Sequence, residues 1–333
     1  MKTVKLNGDA TSDVMIERGI ASRVRDLFDL QRRVLVLTDR EVPKDYIDSV
    51  CLQCLYPVRV SVWPGEDTNS LDNYQRICEI MAENSFSEAD CVVSIGGERV
   101  LSLGAVVAAT YKCGIEHYCL PTTFASQIGN GYFGKKYISI GKNANVLGTD
   151  KLPTRVLVDA ELLSTLDERK MANGFAEVIR LALVLDKKLF EYLEREDLTR
   201  DKAIDHIVAR AIEIKNYVSR KQKTEPELSV ALGLGSIIAD TMEKKQLSYG
   251  ERLAIAMVPM CSAEVRTRLR ALLVRVGLPA VWQYDFERLY RDSVRGLELQ
   301  KILLVMCDEV GSYKMDKLTV PEYHKLIKTA YGG

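Results

Sequence analysis

Histidine is scarce in this chain, aromatic residues make up only 7% of it, and neither sign of charge is in excess. The three histidines, His117, His206 and His324, lie singly, so a histidine-built metal centre would have to be assembled from distant segments. No apolar run reaches the roughly 18 residues that span a bilayer. The opening Met1–Ala10 carries no apolar signal core, so nothing marks the chain for export. With 46 basic against 46 acidic side chains, a nucleic-acid protein working through a broad basic face is excluded. The expectation is a cytoplasmic protein with neither membrane nor nucleic-acid partners.

The 333 residues suffice for about two domains, and 47% of them are hydrophobic. Eight cysteines fit a reducing compartment as mostly buried thiols. Cys51 and Cys54 have the spacing of half a zinc knuckle, but no second pair follows at knuckle spacing, and structural zinc is not expected there.

In the first half, short β-rich runs alternate with helical stretches. Val34-Leu-Val-Leu-Thr38, Val58-Arg-Val-Ser-Val-Trp63 and Cys91-Val-Val-Ser-Ile95 read as strands. Helices are expected after Pro43, over 69–85, and from Gly97 to about Tyr111. That alternation implies parallel βαβ units with helices on both faces. Further short strands are expected at Tyr137–Ile140 and Arg155–Val158, and Thr165-Leu-Asp-Glu168 has the spelling of a capping box that opens helical territory. The predicted fold class is therefore α/β: a Rossmann-like parallel-sheet domain over 1–160 and a mainly helical domain over 161–333.

Three helical segments carry local information. Residues 201–220 place Ile204, Ile207, Val208, Ala211, Ile212 and Val218 on one stripe, and Lys215 shares it. A lysine so placed either serves a site or snorkels out. Segment 174–185 is apolar nearly all round except Glu177 and Arg180, one turn apart, whose plain local reading is an intrahelical ion pair. Segment 231–243, read alone, is a glycine-loosened core helix with Ser236 and Asp240 on one face.

Taken in order, Ser94-Ile-Gly-Gly97, Ala108-Ala-Thr-Tyr111, Leu120-Pro-Thr-Thr123, Gly134-Lys135, Asn145-Val-Leu-Gly148, Val156-Leu-Val-Asp159, Gly174-Phe-Ala-Glu-Val-Ile179, Ile214-Lys215, Tyr249-Gly-Glu251 and Gly277-Leu-Pro279 resemble the 3-dehydroquinate synthase family of the sugar phosphate cyclase superfamily. Each motif alone is weak; the series in matching order is specific. The resemblance implies the two-domain fold, a homodimer, an active site between the domains, NAD, a zinc-type ion and a phosphorylated seven-carbon sugar acid as substrate. Glycerol-dehydrogenase-like enzymes share the two-domain shape, but Ala108–Tyr111 and Leu120–Thr123 favour the cyclase side.

The resemblance also shows what has changed. The family's metal-binding glutamate is Glu177, but its two histidine positions hold Ser236 and Tyr249, and a further site histidine is Asp240. Hydroxyls and phenols are poor substitutes for imidazole on zinc, so zinc or cobalt is not expected and no metal ligand is assigned. Family arginines are replaced by Cys113 and Ser229, which removes bidentate phosphate contacts. The residues left to carry a site are Lys135, Asn145, Glu177, Arg180 (a lysine in the family), Lys215 and Asp240. On the dinucleotide side Asp39, Glu66, Gly96, Gly97, Thr122, Thr123 and Thr165 match, while Glu98 stands for the third loop glycine and Asn69 for a lysine. NAD binding is thus expected to be impaired.

Two functions follow from this reading. The first is a diverged, non-catalytic homologue, a pseudoenzyme that binds an unidentified small molecule or regulates. The second is a lyase-type enzyme with altered substrate or metal, in which Lys215, Lys135, Glu177 and Asp240 form a charged site and oxygen ligands including Glu251 hold magnesium, or in which residual synthase activity survives.

Overall fold

Buried β-branched runs separated by amphipathic helices can hide both faces of a sheet only if the connections cross over it, and the chain folds accordingly. The computed structural model describes residues 1–7, 11–242, 247–281, 286–294 and 301–331. It divides into two compact units, Met1–Leu166 and Asp167–Gly333. The division falls six residues beyond position 160, because the 3-10 segment Ala160–Thr165 is tied to the first unit. Asp159 makes that tie, its carboxylate accepting from the backbone of Gly19, Ala21 and Glu161 at 2.9 to 3.0 Å.

The first unit contains β1 (Lys2–Asn7), β2 (Thr11–Ile16), β3 (Arg33–Asp39), α1 (Lys44–Cys51), β4 (Tyr56–Val62), α2 (Leu71–Glu83), β5 (Cys91–Gly96), α3 (Glu98–Thr110), β6 (Glu116–Pro121), α4 (Phe124–Gln127), β7 (Lys136–Ile140), β8 (Asn143–Thr149) and β9 (Arg155–Val158). Seven strands form one sheet in the order β1-β2-β9-β6-β5-β3-β4, parallel from β2 to β4, with β1 antiparallel on the edge. The register aligns Val34–Thr38 with Cys91–Ile95 and Cys91–Gly96 with Glu116–Pro121, which brings the carboxyl ends of β3, β5 and β6 level.

Each sheet face buries its own cluster. Ile47 and Val50 of α1 pack with Val34, Val36, Val93 and Leu120 on one side. Ile77 and Met81 of α2 and Val100, Leu103 and Val107 of α3 pack with Leu35, Leu37 and Val92 on the other. β7 and β8 form a separate antiparallel pair.

The second unit opens with α5 (Glu168–Leu185) and continues through α6 (Asp201–Lys221), α7 (Pro226–Ala231), α8 (Ser236–Thr241) and α9 (Tyr249–Met257). Asp167, not Thr165, caps α5: its carboxylate accepts from Lys170 N at 2.8 Å, while Thr165 closes the preceding 3-10 turn. The expected single helix over 231–243 is instead broken. α7 ends at Ala231 and α8 starts at Ser236, because Gly235 adopts φ 77°, a left-handed backbone that glycine takes without strain. Glu243, the last residue of that expected helix, lies outside the described residues. The unit is not purely helical, since β10 (Lys301–Met306) and β11 (Lys314–Thr319) pair as an antiparallel hairpin.

Candidate functional site

In the second unit, α5, α8 and α9 present polar side chains to one guanidinium. Arg180 Nη2 donates to Glu177 Oε2 at 2.6 Å, and Nη1 donates to Ser236 Oγ at 3.0 Å. The Tyr249 phenol lies beside Arg180 and Ser236, near enough to act electrostatically on the guanidinium. Helical spacing sets the first contact, because residues three apart on α5 lie on one face. The αL turn at Gly235 sets the second by starting α8 at Ser236. Ser248 sets the third: it caps α9 in a reciprocal capping box with Glu251, and Tyr249 is the first helical residue behind it.

The side chains of Glu177 and Arg180 are only 4% and 12% exposed. Burial by itself lowers the Arg180 pKa, but the Glu177 charge and the Tyr249 contact outweigh it and leave the guanidinium more firmly protonated than usual. Burial raises the Tyr249 phenol, with Arg180 opposing that shift. Both groups are therefore held in the forms they carry at neutral pH, with Glu177 facing a fixed cation.

Of the other residues expected in this unit, Asp240 ends up exposed on α8, and Lys215 is half-buried on α6 beside the buried Ile214 and Asn216. The Glu251 carboxylate is forked by Arg169 at 2.7 and 2.8 Å and closes the Ser248 capping box.

In the first unit, Gly96, Gly97, Thr122 and Thr123 are brought together. Thr122 N donates to Gly96 O at 3.0 Å. A Cβ on Gly97 would stand 3.3 Å from Thr123 Cγ2, and one on Gly96 would stand 2.9 Å from Val100 Cβ. The two glycines thus let backbone approach closely where β5 runs into α3. Asp39 ends β3 level with them and accepts from Glu41 N and Val42 N. Glu66 is exposed in the turn after β4, and Thr165 is exposed at the end of its 3-10 segment. Glu98, first residue of α3, has its carboxylate within 3.3 Å of Asn130 Nδ2. Asn69 ties α2 to β7, donating to Tyr137 O at 2.9 Å. Lys135 and Asn145 are exposed on the β7–β8 arm, Asn145 with a left-handed backbone at φ 57°.

Sequence reasoning missed a buried polar pair in the same unit. His117 Nε2 lies 2.9 Å from Ser94 Oγ, with Cys119 alongside. Their alternation on adjacent parallel strands was the available signal.

Among the described residues, no group of three His, Cys, Asp or Glu side chains is placed to hold a metal ion. The eight cysteines are free thiols. No helix of the described residues is long and apolar enough to cross a membrane.

Comparison with known proteins agrees with the architecture. Residues 59–173 match the family model for the 3-dehydroquinate synthase N-terminal domain, and residues 174–293 match the model for its C-terminal domain. A 3-dehydroquinate synthase of Thermoanaerobacter sp. (strain X514) is 30% identical over 292 residues, covering 81% of each chain. A crystal structure of 2-deoxy-scyllo-inosose synthase with carbaglucose-6-phosphate, NAD+ and Co2+ superposes with a TM-score of 0.87 at 16% identity, covering 99% of this chain and 100% of that one. The 2-epi-5-epi-valiolone synthase of Streptomyces hygroscopicus subsp. jinggangensis 5008, with NAD+ and Zn2+ bound, gives 0.83 at 18% identity, covering 98% of each.

Proposed function

This chain belongs to the 3-dehydroquinate synthase family, and from that premise we propose that it is a non-catalytic member, a binding or regulatory homologue without zinc-dependent cyclisation. One observation carries the reading. The Glu177 carboxylate, the only acid or imidazole left at the family's metal positions, is already bonded to Arg180 at 2.6 Å, and the other two positions offer a serine hydroxyl and a phenol. Catalytic zinc needs three well-placed protein ligands and an open position. Glu177, Ser236 and Tyr249 do not fit zinc or cobalt.

The strand ends of the first unit fit a dinucleotide better. Gly96 and Gly97 expose backbone at the amino end of α3, where an anionic pyrophosphate is favoured. Thr122, Thr123 and Asp39 stand at the same level to hold the rest of the molecule. A nicotinamide dinucleotide supplies a hydride acceptor when bound. Glu98 sets a carboxylate in the first turn of that same helix and opposes the pyrophosphate charge, so the proposed affinity for NAD is low. The same proposal makes the protein a homodimer, as the family resemblance implies.

The experiment is to dialyse the purified protein against excess zinc, measure its metal content, and assay it with the phosphorylated seven-carbon sugar acid and NAD. No stoichiometric zinc and no dehydroquinate are expected. Zinc-dependent formation of dehydroquinate would overturn the proposal in favour of a working synthase.

A further inference from the structure

Three elements that are distant in sequence converge on one side chain, and it is a cation. Glu177 of α5 and Ser236 of α8 hydrogen-bond to the Arg180 guanidinium, and the Tyr249 phenol of α9 lies beside it. We propose that Arg180 is the resident cation of this site, and that its fixed charge bars a divalent ion independently of the missing imidazoles. The inference rests on the reading that the natural chain holds no zinc, and it goes further by naming the residue that decides the matter.

Glu177 has 4% of its side chain exposed, and a carboxylate so far from water needs a cation beside it. A metal ion is one solution, and a guanidinium is another. The guanidinium is always protonated, and its planar fork bonds several acceptors at once. Here two terminal nitrogens reach two different elements, at 2.6 Å and 3.0 Å. The buried carboxylate on α5 and the serine on α8 are therefore held by Arg180 with no ion required. A divalent cation approaching Glu177 would meet a like charge hydrogen-bonded to the same carboxylate, in surroundings that screen poorly.

A lysine at position 180 would behave differently. Its ammonium is a point charge on a flexible stem and cannot bond both acceptors in the same fork geometry, so it can swing away and release Glu177. The choice of arginine over lysine at this position is accordingly a determinant of cation preference.

The test uses the full-length chain and zinc alone as probe, measured by competition with a chromophoric chelator. The double variant Ser236→His/Tyr249→His supplies Glu177 and two imidazoles but keeps Arg180. It is expected to bind zinc no better than the natural chain. Adding Arg180→Lys, or in a parallel variant Arg180→Gln, is expected to create a stoichiometric site at least about 100-fold tighter than the double variant, a difference worth roughly 2.7 kcal/mol. A cooperative melt shows that each variant is folded, and if one of the two triple variants fails to fold the other still decides. Equal zinc affinity for the double and triple variants would overturn the role of Arg180 and leave the proposed function standing. A folded triple variant that still rejects zinc would overturn it as well. Tight zinc binding by the natural chain would instead sink the non-catalytic reading itself.

Discussion

His117 sits on β6 with 5% of its surface exposed, its Nε2 2.9 Å from Ser94 Oγ on the neighbouring strand. Burial, and then the charges of Lys136 and Lys151, lower its pKa from 6.5 to about 3. The folded state thus refuses a proton that the unfolded chain accepts. Above pH 6.5 both states are neutral and nothing is lost. As pH falls from 6.5 towards 3, stability falls, at about 1.4 kcal/mol per pH unit. Between pH 7 and pH 5 this group alone should remove about 2 kcal/mol, and His117→Gln should abolish that slope. Denaturant melts of both proteins at the two pH values measure it; parallel losses in the two would show that His117 is not the acid-labile group. The one-turn spacing of Glu177 and Arg180 made their ion pair legible from sequence. The resemblance set Ser236 and Tyr249 beside Glu177 as family metal positions, but that they close on the Arg180 guanidinium was not legible, because α8 and α9 reach it only through tertiary packing.

At the scale of elements, α3 shows how tightly helix and sheet are fitted. A Cβ on Gly104 would stand 1.9 Å from Ser94 Oγ and 3.1 Å from His117 Nε2. Alanine is the better helix former by about 1 kcal/mol, yet Gly104→Ala should destabilise by about 2–3 kcal/mol through overpacking. The companion change Ser94→Ala should recover part of that loss, since the nearest neighbours would then be His117 Nε2 at 3.1 Å and the Cβ of residue 94 at 3.2 Å. A double-mutant cycle by urea denaturation checks this, and additive losses would show that the contact is not what fixes α3 on β5. The runs Val34–Thr38, Cys91–Ile95 and Arg155–Val158 were legible as strands because apolar β-branched residues cluster between helical stretches, and all three lie within observed strands of the sheet. The strands β1 and β2 and the β10–β11 hairpin escaped that reasoning. β1, β2 and β11 mix charge with apolar side chains, as strands with a solvated face do, so no long apolar run marks them, whereas the apolar run Ile302–Met306 of β10 sits in a half that reads as mainly helical.

For the molecule as a whole, the ordered series of motifs made the family legible, and both family models match across residues 59–293. The fate of the cation centre was legible only in part: the sequence showed which imidazoles were gone, while the structure shows a guanidinium bonded to the carboxylate that remains. That difference has a thermodynamic consequence. A ligand that binds only the folded state stabilises it by RT ln(1 + [L]/Kd), about 2.7 kcal/mol at 100-fold excess over Kd, whatever the details of the site. In a chain of this size such a gain should raise the melting temperature by roughly 4 °C. With Arg180 already supplying the positive charge beside Glu177, the natural protein should melt at the same temperature in excess zinc, excess cobalt or EDTA. The variant that pairs Arg180→Lys with Ser236→His and Tyr249→His should gain stability from zinc and lose it to EDTA. Differential scanning calorimetry of the two proteins in the three media makes the comparison. A rise of several degrees for the natural chain in zinc, reversed by EDTA, would mean that the folded state carries a metal site despite its guanidinium, and both the non-catalytic reading and the role given to Arg180 would fall together.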